Sequence, residues 1–471
     1  MQHVSTRGES PPLGFADAML AGLARDGGLY VPETWPRLEP HTVAGFAGRP
    51  YAEVAVAVIH LFTGGNVSKA DLGRMARETY GGFRHPAVAP LVQIGANTFV
   101  LELFHGPTLA FKDIAMQFLA RLMDQVLAAR GERRTIVVAT SGDTGGAAVE
   151  AFRDRSQVDL IVLFPQGRIS AVQRRMMTTA AAANVHVVAI DGTFDDCQAL
   201  VKAMFNHHHF RERVALSSVN SINWARIVAQ TVYYFTAAVS LGAPYRKVAF
   251  TVPTGNFGDV YSGYVALRLG LPIDRLVIAT NVNDILTRTL ATGTYELRDV
   301  VPTTSPSMDI QVSSNFERLL FDAYGHGGSS IKALMASLAQ SRRFTLSTRA
   351  LSHIRALFAA DRADDEEVAA TMRTVLHETG YFVDPHTAVG IAVAEKQRGD
   401  PTVPMVVLST AHAAKFPDAV ETACGARPLL PEWLSDLEER PERVTVLPAD
   451  QSAVERLVLT MSRAAQEGAH A

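Results

Sequence analysis

Short apolar runs alternate with helical patterns through the middle of the chain. Three runs rich in β-branched and aliphatic residues predict buried strands, at residues 135–139, 160–164 and 185–190. A helical pattern covers residues 170–182, between the second run and the third. After the third run, apolar residues repeat at the spacing of one helix face: Phe194, Cys197, Val201 and Met204. This order of elements predicts a parallel sheet covered by helices.

A second series of the same kind follows. Residues 248–252 and 276–280 predict two more strands, separated by a turn at 253–259 and a helical pattern. The N-terminal part differs, because its helical patterns at 15–23 and 54–62 are separated by Gly and Pro. We therefore expect an α/β protein with two α/β units and a small, mainly helical N-terminal domain.

The composition indicates a globular protein that binds small molecules. The chain has 471 residues, 48% of them hydrophobic, which is enough for two or three domains. A net charge of −3 gives no long-range field to attract nucleic acid or an anionic membrane. Cys197 and Cys424 form neither a disulfide framework nor a C-x-x-C metal site. Since we find no signal-peptide pattern and no membrane-length apolar run, we expect a cytoplasmic protein.

Lys112 is the strongest candidate for chemistry. It lies in the run from His105 to Asp113, and the apolar residues after it repeat with helical spacing, so we expect it in the first turn of a helix. A helix N-terminus disfavours positive charge, and desolvation beside Phe111 lowers a lysine pKa further. Both effects favour the neutral amine that a Schiff base requires. From this segment alone, an ordinary lysine with its ammonium in water remains the alternative.

Two glycine-rich turns follow predicted strands. Residues 140–146 are Thr-Ser-Gly-Asp-Thr-Gly-Gly, and residues 255–259 are Gly-Asn-Phe-Gly-Asp. Glycine allows close backbone approach, and the helix after each turn offers free N–H groups to a phosphate or carboxylate. Neither turn is a Walker A loop or a dinucleotide-binding fingerprint. Each alone is equally well a plain connection, but two anion sites beside an apolar lysine suit a phosphorylated aldehyde cofactor and an anionic substrate.

Two segments that contain histidine favour more modest interpretations. His207–His209 ends a predicted helix and, without placed partners, is interpreted as a solvated helix end rather than a metal site. Residues 384–388 either cap a helix through Asp384 and Thr387 or lie near the cofactor. We predict no metal ion.

Several segments together resemble the threonine synthase family in its longer bacterial and fungal form. They are residues 105–113, 139–146, 220–226, 255–259, 307–310, 314–318 and 409–412, with Lys415 and Phe416. The resemblance begins at Ser5 and reaches the C-terminal region, and the order and number of its motifs make it specific. Two positions depart from the family pattern, because His3 stands where tyrosine is usual and Ala413 where proline is usual.

The resemblance implies fold type II of the pyridoxal-phosphate enzymes, similar to tryptophan synthase β, with an added N-terminal domain. On this basis we expect an N-terminal domain at 1–95, a large cofactor-binding domain at 96–130 and 245–471, and a small domain at 131–244. The implied reaction converts O-phospho-L-homoserine and water to L-threonine and phosphate by γ-elimination and then β-hydration. The implied cofactor is pyridoxal 5'-phosphate.

The resemblance also implies roles for individual residues. Lys112 would form the Schiff base with the cofactor. The cofactor phosphate would bind to Gly255, Asn256, Phe257, Gly258 and Asp259. Thr410, and less directly Ser409, would face the pyridine nitrogen. The substrate carboxylate would bind to Ser141, Gly142, Asp143 and Thr144. The substrate phosphate would bind to Asn220 and Arg226, with Arg168 as a weaker candidate.

Two other functions stay open. A related phospho-lyase would convert the same substrate to 2-oxobutyrate and ammonia, and motifs for lysine and phosphate binding do not distinguish it. A catalytically silent binding protein of the same fold is disfavoured by the intact Lys112 and both turns. We expect a small-molecule substrate, no nucleic-acid or membrane partner, and a monomer or weak homodimer.

Overall fold

A six-stranded sheet, the large sheet, forms one half of the molecule. The computed structural model describes residues 1–467. The strands of the large sheet lie in the order Phe358–Arg362, Ile273–Thr280, Val248–Pro253, Met405–Ser409, Thr98–Glu102 and Leu91–Gly95. The first five are parallel, and the last is antiparallel to its neighbour.

The small sheet has five parallel strands. Their order is Thr445–Pro448, Val185–Asp191, Val158–Pro165, Arg134–Ala139 and Leu216–Ser217. All eight residues of Val158–Pro165 are buried, which explains why residues 160–165 form a continuous apolar run rather than an alternating one.

The N-terminal part combines helices with a small antiparallel sheet. Its three strands lie in the order Leu13–Gly14, Gln2–Ser5 and Tyr30–Pro32. Its helices are Phe15–Ala21, Pro40–Ala44, Tyr51–Thr63 and Lys69–Tyr80. The ring of Phe62 meets the ring of Trp224 edge to face at 5.6 Å, so this part packs directly on the rest of the molecule.

The remaining helices cover the two parallel sheets. Within residues 112–240 the helices are Lys112–Arg130, Asp143–Phe152, Ala171–Thr178, Phe194–Asn206, His208–Arg213 and Trp224–Ser240. Later in the chain they are Gly258–Arg268, Ile285–Thr292, Phe316–Ala323, Gly328–Ser341, Thr348–Arg355, Asp365–Thr379, Pro385–Lys396, Pro417–Cys424, Gln451–Met461 and Arg463–Glu467. Short 3₁₀ helices occur at Pro306–Met308, Ala413–Lys415 and Glu432–Leu434, and a hairpin pairs Thr294–Glu296 with Arg343–Thr345. No helix within residues 1–467 is long and apolar enough to cross a membrane.

Alternate residues of each sheet belong to different apolar cores. Ile136 and Val138 of the small sheet pack in the main core, which also contains Phe250 of the large sheet, whereas Val137 packs in a separate core on the opposite face. Val277 of the large sheet similarly packs on its outer face. The main core therefore joins both sheets and the N-terminal part.

The predicted strands are confirmed, and the α/β class with them. The helix predicted over 170–182 is shorter, at Ala171–Thr178. Sheet pairing differs from the predicted domain limits at two places. Leu91–Gly95 forms a hairpin with the next strand of the large sheet, because a two-residue turn with Asn97 at φ +58° joins them. Thr445–Pro448 adds to the edge of the small sheet. The other domain limits stay a prediction.

Candidate active site

A cavity of about 700 Å³ opens where the parallel strands end. The turns that follow Arg134–Ala139, Val248–Pro253 and Met405–Ser409 all contribute to its wall, as expected for ligand sites in parallel α/β folds. Most of the predicted site residues line it: Lys112, Ser141, Asp143, Thr144, Asn220, Arg226, Gly255, Asn256, Phe257, Gly258, Asp259 and Thr410.

Three predicted residues do not line the cavity. Gly142 lies within its turn, as the residue before the helix Asp143–Phe152. Ser409 is buried behind Thr410, with its hydroxyl oxygen 3.0 Å from that of Thr387. Arg168 is exposed in the loop after Val158–Pro165 and does not line the cavity. Arg168 is therefore not among the cations brought to this site.

Lys112 begins the helix Lys112–Arg130, as predicted. Its Nζ lies 3.6 Å from Asp143 Oδ2 and 4.6 Å from the centre of the Phe111 ring. Burial lowers the pKa of Lys112, the charge of Asp143 opposes this effect, and Lys415 and Arg226 add to it. The side chain is thus held in an environment that favours its neutral amine.

Groups from distant parts of the chain form hydrogen bonds with the Asp143 carboxylate. Its Oδ1 accepts hydrogen bonds from Lys415 Nζ at 2.7 Å and from Gln173 Nε2 at 3.0 Å. Burial tends to raise the pKa of Asp143, but the charges of Lys415 and Lys112 hold it far below its usual range. Lys415 belongs to a segment that resembles the threonine synthase family, but no role was predicted for it. Its place between apolar residues in a chain with only seven lysines is the signal that singles it out.

The turn at 255–259 is held by its backbone. Asn256 O accepts hydrogen bonds from the backbone N of Asn315 at 3.1 Å and from its Nδ2 at 3.0 Å, and Ser313 Oγ donates to Gly255 O. Phe257 has φ +62°, and the helix Gly258–Arg268 starts directly after it. A Cβ at Gly255 would come within 2.9 Å of Ser307 O, so the turn leaves no room for a larger residue.

Asp259 points its carboxylate toward two tyrosines. Tyr233 and Tyr234 both donate from their hydroxyls to Oδ1, the second at 3.1 Å. Burial raises the pKa of Asp259 to about 6, although both hydrogen bonds lower it. The tyrosines were missed, since nothing in their local pattern distinguishes them from core residues.

Arg226 is a buried cation with an unused donor. Its side chain is only 2% exposed, and Nη1 donates to Val219 O at 3.2 Å. Its Nε finds no hydrogen-bond partner among the described residues. Burial lowers the pKa of Arg226 to about 10. A buried guanidinium with a free donor beside a cavity fits an anion, which guanidinium groups bind through several hydrogen bonds.

His386 also lines the cavity. Its Nδ1 is 2.7 Å from Asp384 Oδ2, and its Nε2 accepts from the backbone N of Ser307 at 3.2 Å, so the ring proton lies on Nδ1. Asp384 caps the helix Pro385–Lys396 through the backbone N–H groups of His386 and Thr387. The predicted cap is therefore confirmed, and it also places a histidine in the cavity wall, whereas a position near the cofactor stays a prediction.

The histidines at 207–209 do not form a metal site in the described part of the chain. His207 is exposed and its Nδ1 is 3.0 Å from Glu455, between the helices Phe194–Asn206 and His208–Arg213. His208 is exposed and also lines the cavity. Within residues 1–467, no group of three or more His, Cys, Asp or Glu side chains is arranged to hold a metal ion.

The residues present fit pyridoxal phosphate. A buried lysine with a lowered pKa lies in the same cavity as a tight turn at a helix N-terminus, where backbone N–H groups and the helix dipole favour a phosphate. Every residue of that turn lines the cavity.

Comparison with known proteins places this site in a family. The chain matches the models of the threonine synthase N terminus over residues 2–80, of pyridoxal-phosphate dependent enzymes over 84–344, and of the threonine synthase C-terminal region over 387–458. The chain belongs to the threonine synthase family. It is therefore a pyridoxal-phosphate dependent enzyme of fold type II.

Individual members of the threonine synthase family match along their whole length. A threonine synthase from Pseudomonas aeruginosa is 51% identical, with 97% of this chain and 98% of that protein covered. One from Saccharomyces cerevisiae is 40% identical, with 92% of both covered. The crystal structure of threonine synthase from Brucella melitensis with bound pyridoxal phosphate is similar at a TM-score of 0.96 and 60% identity, covering 98% of this chain and all of that one.

Proposed function

We propose that this chain converts O-phospho-L-homoserine and water to L-threonine and phosphate, as the last step of threonine biosynthesis. The observation that carries the proposal is a single cavity that combines a buried Lys112 with two glycine-rich turns and the unpaired Nε of Arg226. The names of its relatives in the threonine synthase family support the same reaction.

The cofactor is assigned to one side of the cavity. Lys112 would hold it covalently, and the backbone N–H groups of the turn at 255–259 would hold its phosphate. Thr410 would face the pyridine nitrogen with a neutral hydroxyl, which does not hold the ring protonated as a carboxylate does. When bound, pyridoxal phosphate supplies an electron sink for negative charge that develops on substrate carbon.

The substrate is assigned to the other side. Ser141 and Thr144 lie at the start of the helix Asp143–Phe152, where free backbone N–H groups suit the substrate carboxylate. Arg226 and Asn220 would hold the substrate phosphate, because the Arg226 guanidinium has a donor to spare. These two anchors fix the carbon chain between them and across Lys112.

Lys112 moves the protons in this scheme. Its neutral amine takes the proton from Cα and then shifts protons at Cβ, and the C–O bond at Cγ breaks to release phosphate. Water then adds its hydroxyl to Cβ while a proton goes to Cγ, so the atoms of O-phosphohomoserine and water equal those of threonine and phosphate. Arg226 balances the charge of the leaving phosphate.

The direct test is product analysis. Protein loaded with pyridoxal phosphate and supplied with O-phospho-L-homoserine should release threonine and phosphate in equal amounts. Lys112→Ala should lose turnover by about 1,000-fold or more, since proton transfer by a positioned base contributes roughly 10²–10⁴-fold. Lys396→Ala, at an exposed helix end outside the cavity, is the matched control and should retain activity.

The products also separate the alternatives. Release of 2-oxobutyrate and ammonia in place of threonine would identify a phospho-lyase, and no turnover by protein that holds the cofactor would identify a binding protein. Persistence of full activity in Lys112→Ala would contradict the role of that residue.

We also propose a cytoplasmic location and a monomer or weak homodimer. Both cysteines are free thiols, which suits a reducing compartment. Sedimentation at several protein concentrations measures the state of association.

A further inference from the structure

Lys415 is a buried lysine that does not line the cavity but contacts Asp143, which does. Its side chain is 1% exposed, and its Nζ donates to Thr108 O at 2.7 Å as well as to Asp143. It ends the short 3₁₀ helix Ala413–Lys415, which His412 caps by accepting a hydrogen bond at Nδ1 from the backbone N of Ala414. This cap fixes the backbone directly before Lys415.

The two oxygens of Asp143 have different partners. Oδ1 accepts from Lys415 and Gln173 at ordinary hydrogen-bond distances, whereas Oδ2 faces Lys112 Nζ at 3.6 Å. A charge-assisted hydrogen bond between ammonium and carboxylate is about 2.7–2.9 Å long, so the contact with Lys112 is a loose one. The Asp143 carboxylate therefore pairs more closely with Lys415 than with Lys112.

Charged groups of both signs surround Lys112. Asp143, Lys415 and Arg226 act on its pKa besides burial, and Asp259 also interacts with it. Asp143 has two lysine partners within 4 Å, Lys112 and Lys415. Without Lys415, the carboxylate would have Lys112 as its remaining lysine partner.

We propose that Lys415 is a positioning residue, whose ammonium holds the Asp143 carboxylate and keeps it from forming a full ion pair with Lys112. The inference deepens the proposed function, on which it rests, because a fully paired Lys112 would be an ammonium without a lone pair to take the α-proton. Lys415 also neutralises a carboxylate in the loop assigned to the anionic substrate carboxylate. Burial of Lys112 and the charges of Lys415 and Arg226 lower its pKa in the same sense.

The test is a pH titration of the protein with bound cofactor. The visible absorbance of pyridoxal phosphate attached to a lysine changes when the linking nitrogen gains a proton, so it reports the charge at Lys112 Nζ without any turnover. In Lys415→Met the uncompensated Asp143 should stabilise the protonated form and move the transition to higher pH by about one unit or more, as a nearby opposite charge does. Asp143→Asn should move it to lower pH.

The double variant distinguishes an effect of the charges from a general disruption of the structure. In Lys415→Met/Asp143→Asn neither charge remains, so the transition should return to within about half a pH unit of the wild type, given the size of such charge effects. Lys415→Arg keeps the charge and should shift less than Lys415→Met. Lys396→Met, which removes an exposed lysine paired with Glu367, should leave the transition unchanged.

Two results would overturn the proposal. One is an unshifted transition in both single variants, and the other is a shift in Lys415→Met that the second substitution does not reverse. If Lys415→Met does not fold, the acid shift of Asp143→Asn still tests the idea. Failure of the proposed function is distinguishable, because it appears as missing threonine in a protein whose absorbance still titrates as described.

Discussion

The two glycine-rich turns look alike in sequence but differ in how they are charged. Both follow a buried parallel strand and both lead into a helix. The turn at 255–259 is fixed by bonds from Asn315 and Ser313 to its own carbonyl oxygens. Each turn contains a carboxylate, but Asp259 accepts hydrogen bonds from the neutral hydroxyls of Tyr233 and Tyr234, whereas Asp143 is neutralised by Lys415.

The difference explains how one cavity is arranged for several anions. The turn at 255–259 directs its own carboxylate, Asp259, to the hydroxyls of Tyr233 and Tyr234, and its backbone N–H groups at a helix N-terminus suit a permanently bound phosphate. In the other turn the Asp143 carboxylate is compensated by a lysine, which makes that turn acceptable to an anion. Lys415 is already paired with Asp143, so the substrate phosphate needs a different cation. Arg226 has a free donor for it.

Among the substitutions that test this comparison of the two turns, removal of that cation should have the largest effect. Arg226→Ala should lower kcat/KM for O-phosphohomoserine by about 100-fold, because truncation of a buried charge partner costs roughly 2–5 kcal/mol. The cofactor absorbance should be retained. Arg168→Ala is the matched control, since its side chain is exposed outside the cavity, and should change kcat/KM by less than about twofold. Equal effects of the two substitutions would mean that the substrate phosphate is bound elsewhere.

A smaller effect should distinguish the two turns. Gly255→Ala places a Cβ within 2.9 Å of Ser307 O and should weaken cofactor binding by about tenfold in an absorbance titration, as about 1.4 kcal/mol of strain would do. Gly142→Ala, at φ +134° and against the Gln173 side chain, should instead raise KM for the substrate by a similar factor. If both substitutions weaken the cofactor alone, the division of roles between the turns is wrong.

Features encoded by local patterns were predicted from the sequence. The buried strands are apolar runs, and Lys112 is followed by a helical apolar stripe, so both appear at the predicted places. The glycine-rich turns are local as well, and the resemblance to the threonine synthase family added the order in which the segments occur. The strands, the helical stripe and the turns are each recognised from a few neighbouring residues.

Features that depend on distant residues were not predicted. Lys415 meets Asp143 across 272 positions, from 143 to 415, and no local spacing links them. Asn315 meets the turn at 255–259 in the same way. The family resemblance implied Arg168 as a weaker candidate, but only the three-dimensional structure shows that it does not line the cavity. The edge strand Thr445–Pro448 joins the small sheet although it follows the last large-sheet strand in sequence.

Turnover in water enriched in ¹⁸O tests the central claim most directly. If the C–O bond at Cγ breaks and water adds at Cβ, mass spectrometry should find one ¹⁸O in the threonine hydroxyl and none in the released phosphate. Label in the phosphate, with homoserine as the other product, would mean that water attacks phosphorus, and would contradict the account.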